Sequence, residues 1–274
     1  MVSFHAHIRD SWRHSGSSLC VGLDPDADRL PSPLRGEVDA VYKFCVEIIE
    51  ATADLVCAFK PQFAYFAAQR AEPALERVCA YIREHHPDVT LILDAKRGDI
   101  GSTAEQYAIE AFRRYGAHAV TINPYLGFDS VHPYFEHGAI LALCRTSNPG
   151  GDDLQNLMVA HGNDVRPLYL HVADMVANDW SRHGECGLVV GATYPEELAA
   201  VRSVATDLPI LVPGVGPQGG DAAAAVRAGS TADGYGLLIS SSRAVLYASS
   251  GVDFAEAARA VAMESRLATR RIVE

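Results

Sequence analysis

Eight short apolar runs alternating with longer amphipathic stretches predict an α/β protein of the (β/α)8 TIM-barrel class, folded as a single domain. Three observations carry that expectation. The runs are short and bounded by Gly, Pro or polar residues, as parallel strands buried on both faces are. Helix-like stretches separate them. The 274 residues suit one barrel, and no polar or Pro/Ser-rich linker divides them. The domain is therefore expected to span 1–274, with 1–18 as an N-terminal helical extension. A doubly wound open sheet buries its strands in the same way, so periodicity alone leaves both architectures open.

The elements follow in order. Strand 19–23 leads to helix 38–53, strand 55–60 to helix 73–85, and strand 90–94 to helix 102–115. Strand 119–123 leads to 129–137, a weaker helix because it contains Pro133. Strand 140–145 is followed by an excursion, 148–166, rich in Gly, Asp and Asn, before a helix-like segment at 169–182. The excursion reads equally as a lid or as a surface insertion. Strand 187–192 with helix 196–206, strand 210–212 with helix 221–228, and strand 236–240 with helix 254–267 complete the set.

Composition narrows the function. Apolar residues make up 49% of the chain, enough for a substantial core. A net charge of −11 argues against general nucleic-acid binding, which needs a positive surface. It leaves room for a small anionic ligand, because a few Lys and Arg can govern one pocket. The six cysteines, Cys20, Cys45, Cys57, Cys79, Cys144 and Cys186, form no C-x-x-C and mostly lie in apolar runs, as buried thiols in a reducing cytoplasm do. The stretch Phe4-His5-Ala6-His7-Ile8-Arg9-Asp10 is too polar for a signal peptide, and no apolar run approaches the roughly 20 residues of a membrane span. A soluble, cytoplasmic protein is expected.

In a parallel barrel, chemistry gathers at the C-terminal ends of the strands. Polar residues recur there: Asp24 after the first strand, Lys60 on the second, Asp94 and Lys96 with Asp99 on the third. Thr146-Ser147 follow the fifth, Pro213-Gly214 the seventh and Ser242-Arg243 the eighth. Any one of these alone is simply a cap or a solvated loop residue; chance would scatter such a set over both barrel ends. The densest cluster is Asp94-Ala95-Lys96-Arg97-Gly98-Asp99-Ile100. Residues i and i+2 of a strand share a face, so Asp94 and Lys96 are expected to point the same way. Gly98 permits a turn that returns Asp99 toward them, and Lys60 adds a second cation from the adjacent strand. Two carboxylates held close would share a proton; interleaved ammonium groups keep both ionised. Such an array stabilises a developing carbanion and then protonates it. The plain alternative is an ion-pair network that only secures the strand end.

The pattern D-x-K-x-x-D-I, here Asp94, Lys96, Asp99 and Ile100, resembles the signature of the orotidine 5′-phosphate decarboxylase family. The resemblance extends through Val21-Gly22-Leu23-Asp24-Pro25, Phe59-Lys60-Pro61, Thr146-Ser147-Asn148-Pro149-Gly150, Pro213-Gly214-Val215-Gly216 and Ser242-Arg243, and looks like the bacterial subgroup with longer loops. It implies cofactor-independent decarboxylation of orotidine 5′-monophosphate (OMP) to UMP and CO2 in pyrimidine biosynthesis, with no metal. It further implies that Lys96 protonates C6 of the pyrimidine, with Asp94 and Asp99 beside it. Lys60 and Asp24 would hold ribose hydroxyls, Lys60 also bracing Asp94. Ser147 would read the pyrimidine edge, Pro213 would line the substrate site, and Gln218 and Arg243 would grip the 5′-phosphate. Asp99, Ile100 and Thr103 would reach into a neighbouring subunit, which implies a homodimer with shared sites. One departure is Ser240-Ser241-Ser242, where many relatives have a glycine before the arginine.

Rival readings fit less well. Gly214-Val215-Gly216-Pro217-Gln218-Gly219 matches G-x-G-x-x-G, but it follows the seventh strand, and the acidic Asp233 precedes the next strand instead of ending it; a phosphate-binding turn fits better. The eleven histidines form no H-E-x-x-H. Mg2+-dependent sugar-phosphate barrels share D-x-K-x-x-D but carry a Glu ligand where this chain has Lys60. A Schiff-base lysine must be neutral, and flanking carboxylates oppose that. A non-catalytic nucleotide-binding barrel would be expected to lose a charged member of the array, and none is lost.

Overall fold

The computed structural model describes residues 3–162, 164–214 and 221–269. In chain order the strands are β1 (Leu19–Leu23), β2 (Ala58–Pro61), β3 (Thr90–Arg97), β4 (Ala119–Ile122), β5 (Ala139–Arg145), β6 (Met158–His161), β7 (Asp164–Pro167), β8 (Cys186–Val190), β9 (Ile210–Val212) and β10 (Leu237–Ser241). All but β6 and β7 pair in parallel around a closed barrel, and β1 bonds to both β2 and β10. Closure decides between the two architectures that periodicity left open.

Strand alternation builds two cores. Leu19, Val21 and Leu23 pack outward against the helices, with Leu91, Leu93, Val120 and Ile140. Cys20, Ala58, Ile92, Ala119, Leu141, Val189, Leu211 and Leu238 form a second cluster inside the barrel. The helix Phe4–Ser15 joins this inner cluster. It is capped by the Ser3 hydroxyl, which accepts from Ala6 N–H, and it ends on Gly16 in the left-handed conformation. Its residues Phe4, Ile8 and Trp12, four apart and therefore on one face, bury against the inner strand residues. Each such burial stabilises by about 2 kcal/mol. Trp12 Nε1 donates to Leu237 O at 2.8 Å, and Ser11 Oγ donates to Asp88 O at 2.7 Å. The helix thus plugs the end of the barrel opposite the strand C-termini.

Several elements differ from the sequence expectation. The second strand begins at Ala58, because Ala53–Leu55 is a 3-10 turn. The helices expected at 102–115 and 169–182 form, but each passes into a π turn, at Glu110–Arg114 and Met175–Asp179. The helix Phe128–Phe135 tolerates Pro133. The excursion 148–166 holds a 3-10 turn, Pro149–Asp153, and the antiparallel hairpin β6–β7. Short helices at Phe63–Ala68 and Arg243–Leu246 had no periodic signal long enough to read. All six cysteines are buried and free, and among the described residues no helix is long and apolar enough to cross a membrane.

Candidate active site

β2, β3 and β4 deliver the centre of the site. Lys60, on β2, is 4% exposed, and Asp94, on β3, is 5% exposed. Lys60 Nζ lies 2.7 Å from Asp94 Oδ2, and Lys96 Nζ lies 2.6 Å from Asp94 Oδ1. Gln62 Nε2 donates to Oδ2 at 3.0 Å, and Thr121 Oγ1 donates to Oδ1 at 2.9 Å.

Simple alternation along β3 does not produce this meeting. The β3–β4 register slips between Leu93 and Arg97, and Lys96 adopts φ +47°. Leu93 pairs with Val120 but Arg97 with Ile122, so β3 arches over the site. A lysine in the left-handed region costs about 1–3 kcal/mol and persists only where its surroundings impose it. Here the N–H groups of Ala95 and Lys96 both donate to Thr121 Oγ1, at 3.1 and 3.0 Å. Beyond the arch, Arg97 is held by Glu110 at 2.7 Å and lies against the Phe63 and Tyr107 rings, while its carbonyl accepts from Asn123 N–H.

The electrostatics favour a fully ionised centre. Burial pushes the Asp94 carboxyl up, but Lys60 and Lys96 outweigh it and hold the group well below the usual carboxylate range. Burial works against the Lys60 ammonium, yet Asp94 and Asp24 more than reverse it and raise its pKa above that of an ordinary lysine. These carboxylates favour the charged Lys60 ammonium, which opposes the neutral amine that Schiff-base chemistry needs. Asp24 behaves differently: burial raises its carboxyl against the opposing pull of Lys60 and of the Ser242 hydroxyl, and among the described residues its buried Oδ1 meets the geometry of no hydrogen bond.

The remaining residues divide. Asp99 does not join the array within one chain. Its Oδ1 accepts from Ile100 N–H at 2.8 Å, and among the described residues no hydrogen bond links it to Lys60, Asp94 or Lys96. The expected return at Gly98 does not form: Gly98 has no left-handed φ, Ile100 is 59% exposed, and Thr103 is exposed on the helix Gly101–Ile109. Ser147 lies where β5, β8 and β9 end together. Gly191 approaches it so closely that a Cβ there would stand 2.9 Å from Ser147 N. Pro213 follows β9, and its carbonyl accepts from Ala192 N–H at 3.0 Å. Arg243 is exposed at the start of Arg243–Leu246. Ser242, before it, packs against Gly22, where a Cβ would fall 1.9 Å from the Ser242 hydroxyl; that contact draws β1 and β10 together beside Asp24. Gln218 and most of the glycine-rich turn lie outside the described residues.

Two neighbours of the Asp94 carboxylate were missed in the sequence. Gln62 and Thr121 look like ordinary strand-end and strand residues. Arg145, a cation at the end of β5 directly before Thr146-Ser147, instead ties the strand end to its surroundings. It is buried, with Nε 2.6 Å from Glu197 Oε2 and Nη2 2.6 Å from Asp152 Oδ1.

Comparison with known proteins identifies the family. Residues 17–261 match the model of the Orotidine 5′-phosphate decarboxylase / HUMPS family. A relative from Janthinobacterium sp. (strain Marseille), named orotidine 5′-phosphate decarboxylase, is 58% identical over 99% of this chain and 100% of its own length. One of the same name from Aromatoleum aromaticum is 57% identical over 98% of this chain and 99% of its own. The solved structure of Leishmania donovani OMP decarboxylase matches with a TM-score of 0.81 at 37% identity, covering 98% of this chain and 99% of that one. The chain belongs to the orotidine 5′-phosphate decarboxylase / HUMPS family.

Proposed function

We infer that this protein converts OMP to UMP and CO2. The observation that carries the reading is the chain of ion pairs Lys60–Asp94–Lys96 at the C-terminal mouth of the barrel, in a chain 58% identical to a relative named for that reaction. Breaking the bond from C6 to the carboxylate releases CO2 and leaves an electron pair on C6. A cation beside C6 lowers the energy of that pair as it forms. Lys96 is that cation and then gives its proton to C6, so a C–H bond replaces the lost C–C bond. Asp94 holds Lys96 in place, and Lys60 holds Asp94.

Asp24 and Lys60 bind the ribose hydroxyls. The buried Asp24 Oδ1 supports this, since a sugar hydroxyl is a donor that would satisfy it. Ser147 contacts the pyrimidine edge beside Pro213, and Gln218 and Arg243 hold the 5′-phosphate. The protein acts as a homodimer in the cytoplasm, as one domain, without nucleic acid, metal or other cofactor. Asp99, Ile100 and Thr103 complete the partner's site. The exposure of Ile100 and the absence of Asp99 from its own chain's array support that exchange. The Mg2+-dependent alternative is disfavoured by Lys60, whose ammonium stands on Asp94 at the position of that class's Glu ligand.

Loss of ultraviolet absorbance from OMP, followed with purified protein in excess EDTA, tests the reading. Rapid formation of UMP is expected, and Lys96→Ala should lower kcat by several orders of magnitude in a folded protein. No conversion by folded wild-type dimer, or full turnover by Lys96→Ala, would overturn it.

A further inference from the structure

We propose that Thr121 is a positioning residue for the decarboxylation, setting both the direction of Lys96 and the orientation of Asp94 through one buried hydroxyl. The inference rests on Lys96 as the proton donor.

Thr121 is fully buried on β4, below the arch of β3. Its Oγ1 makes three hydrogen bonds: from Ala95 N–H at 3.1 Å, from Lys96 N–H at 3.0 Å and to Asp94 Oδ1 at 2.9 Å. The polarity of this set is not free. Backbone N–H groups only donate, so they occupy the two lone pairs of the hydroxyl oxygen. An ionised carboxylate only accepts, so the hydroxyl proton must point at Asp94. The hydroxyl is thereby saturated and has one orientation.

Its partners are the parts of β3 that need outside support. Lys96 carries a left-handed φ of +47°, and the register slip removes regular ladder bonds between Leu93 and Arg97. Thr121 supplies acceptors for two N–H groups inside that irregular stretch. The same atom holds Asp94 Oδ1, the oxygen that Lys96 Nζ contacts at 2.6 Å. One hydroxyl therefore fixes the root of the lysine side chain at its backbone and the tip through its carboxylate. Without it, the Lys96 backbone can relax out of the left-handed region, and Nζ moves relative to C6. Misplacement by about 1 Å can cost a catalytic step about 100-fold. Substrate affinity is carried mainly by the ribose and phosphate contacts proposed at other strand ends, so binding is spared.

Thr121→Val keeps the β-branched shape and removes the hydroxyl; Thr121→Ser keeps the hydroxyl and removes the methyl. The valine variant is expected to lose about 100-fold in kcat. KM for OMP and affinity for UMP should stay at wild-type values, and the serine variant should recover most of the loss. Should the valine variant fail to fold, Thr121→Cys carries the same expectation, because a thiol is a poor acceptor. Wild-type kcat in a folded valine or cysteine variant would overturn the proposal. So would equal losses in valine and serine variants that follow their melting temperatures, since packing would then explain them. Lys96→Ala, assayed alongside, separates the two levels. If it is active, the proton-donor reading fails and takes this inference with it. If it is inactive while Thr121→Val is fully active, the role of Thr121 alone fails.

Discussion

Asp94 accepts from Lys60 and Gln62 on one oxygen and from Lys96 and Thr121 on the other, which fills its in-plane capacity. A carboxylate so bound cannot rotate, and its charge stays where the fold puts it. Arg243 is the opposite kind of residue, exposed and with a proposed role only toward substrate. A charge-assisted hydrogen bond is worth about 1.5–3 kcal/mol, so Arg243→Ala should raise KM for OMP by about 10- to 100-fold. Steady-state kinetics against OMP checks this, and an unchanged KM would remove Arg243 from the phosphate site. Lys60, Asp94 and Lys96 stood out in the sequence because Asp94 and Lys96 fall two apart in the densest charged cluster and Lys60 ends the neighbouring strand. Thr121 was not legible: threonine is an ordinary strand residue, and only the tertiary arch of β3 gives its hydroxyl a task.

At the scale of elements, the segment entering β4 contains an acid-sensitive contact. His118 Nδ1 accepts from Leu91 N–H at 2.9 Å, and its ring stacks on His7 of the first helix with centroids 4.1 Å apart. Burial, then His7 and Arg83, lower its pKa from 6.5 to about 3. Between those values the unfolded chain binds a proton that the native state refuses, so stability falls as pH drops below about 6.5. By pH 5 the loss from this residue is about 2 kcal/mol. His118→Asn keeps an acceptor for Leu91 N–H but does not titrate. Its melting temperature should fall less than that of the wild type between pH 7 and pH 5; parallel falls would show that acid acts elsewhere. The helix-and-strand alternation was readable because each barrel element buries an apolar face. The hairpin β6–β7 was not, because both strands are largely exposed and carry no alternating pattern.

At the scale of the molecule, the proposed catalytic unit is a pair of chains. Ile100, Tyr125 and Leu126, in the loops after β3 and β4, are all exposed apolar residues near the mouth of the site, where a partner would cover them. Asp99→Ala and Lys96→Ala chains should each be nearly inactive alone. Mixed dimers of the two should regain part of the activity, because one of their two sites then has both residues intact. No recovery in verified mixed dimers would assign Asp99 to its own chain. The number and order of the barrel units could be read from local periodicity. Closure could not, because it depends on pairing between the first strand and the last, which no local pattern encodes.

The plug at the foot of the barrel has a consequence for how the chain assembles. Trp12 and the carbonyl it meets at Leu237 are 225 residues apart, so the helix Phe4–Ser15 has no completed seat until β10 has been made. Throughout translation its apolar stripe of Phe4, Ile8 and Trp12 must wait, exposed or provisionally covered. Such long-range closure slows folding and prolongs the interval in which nascent chains can associate wrongly. Docking of the helix Phe4–Ser15 through Trp12 therefore belongs to the late, long-range part of assembly, because its seat includes β10.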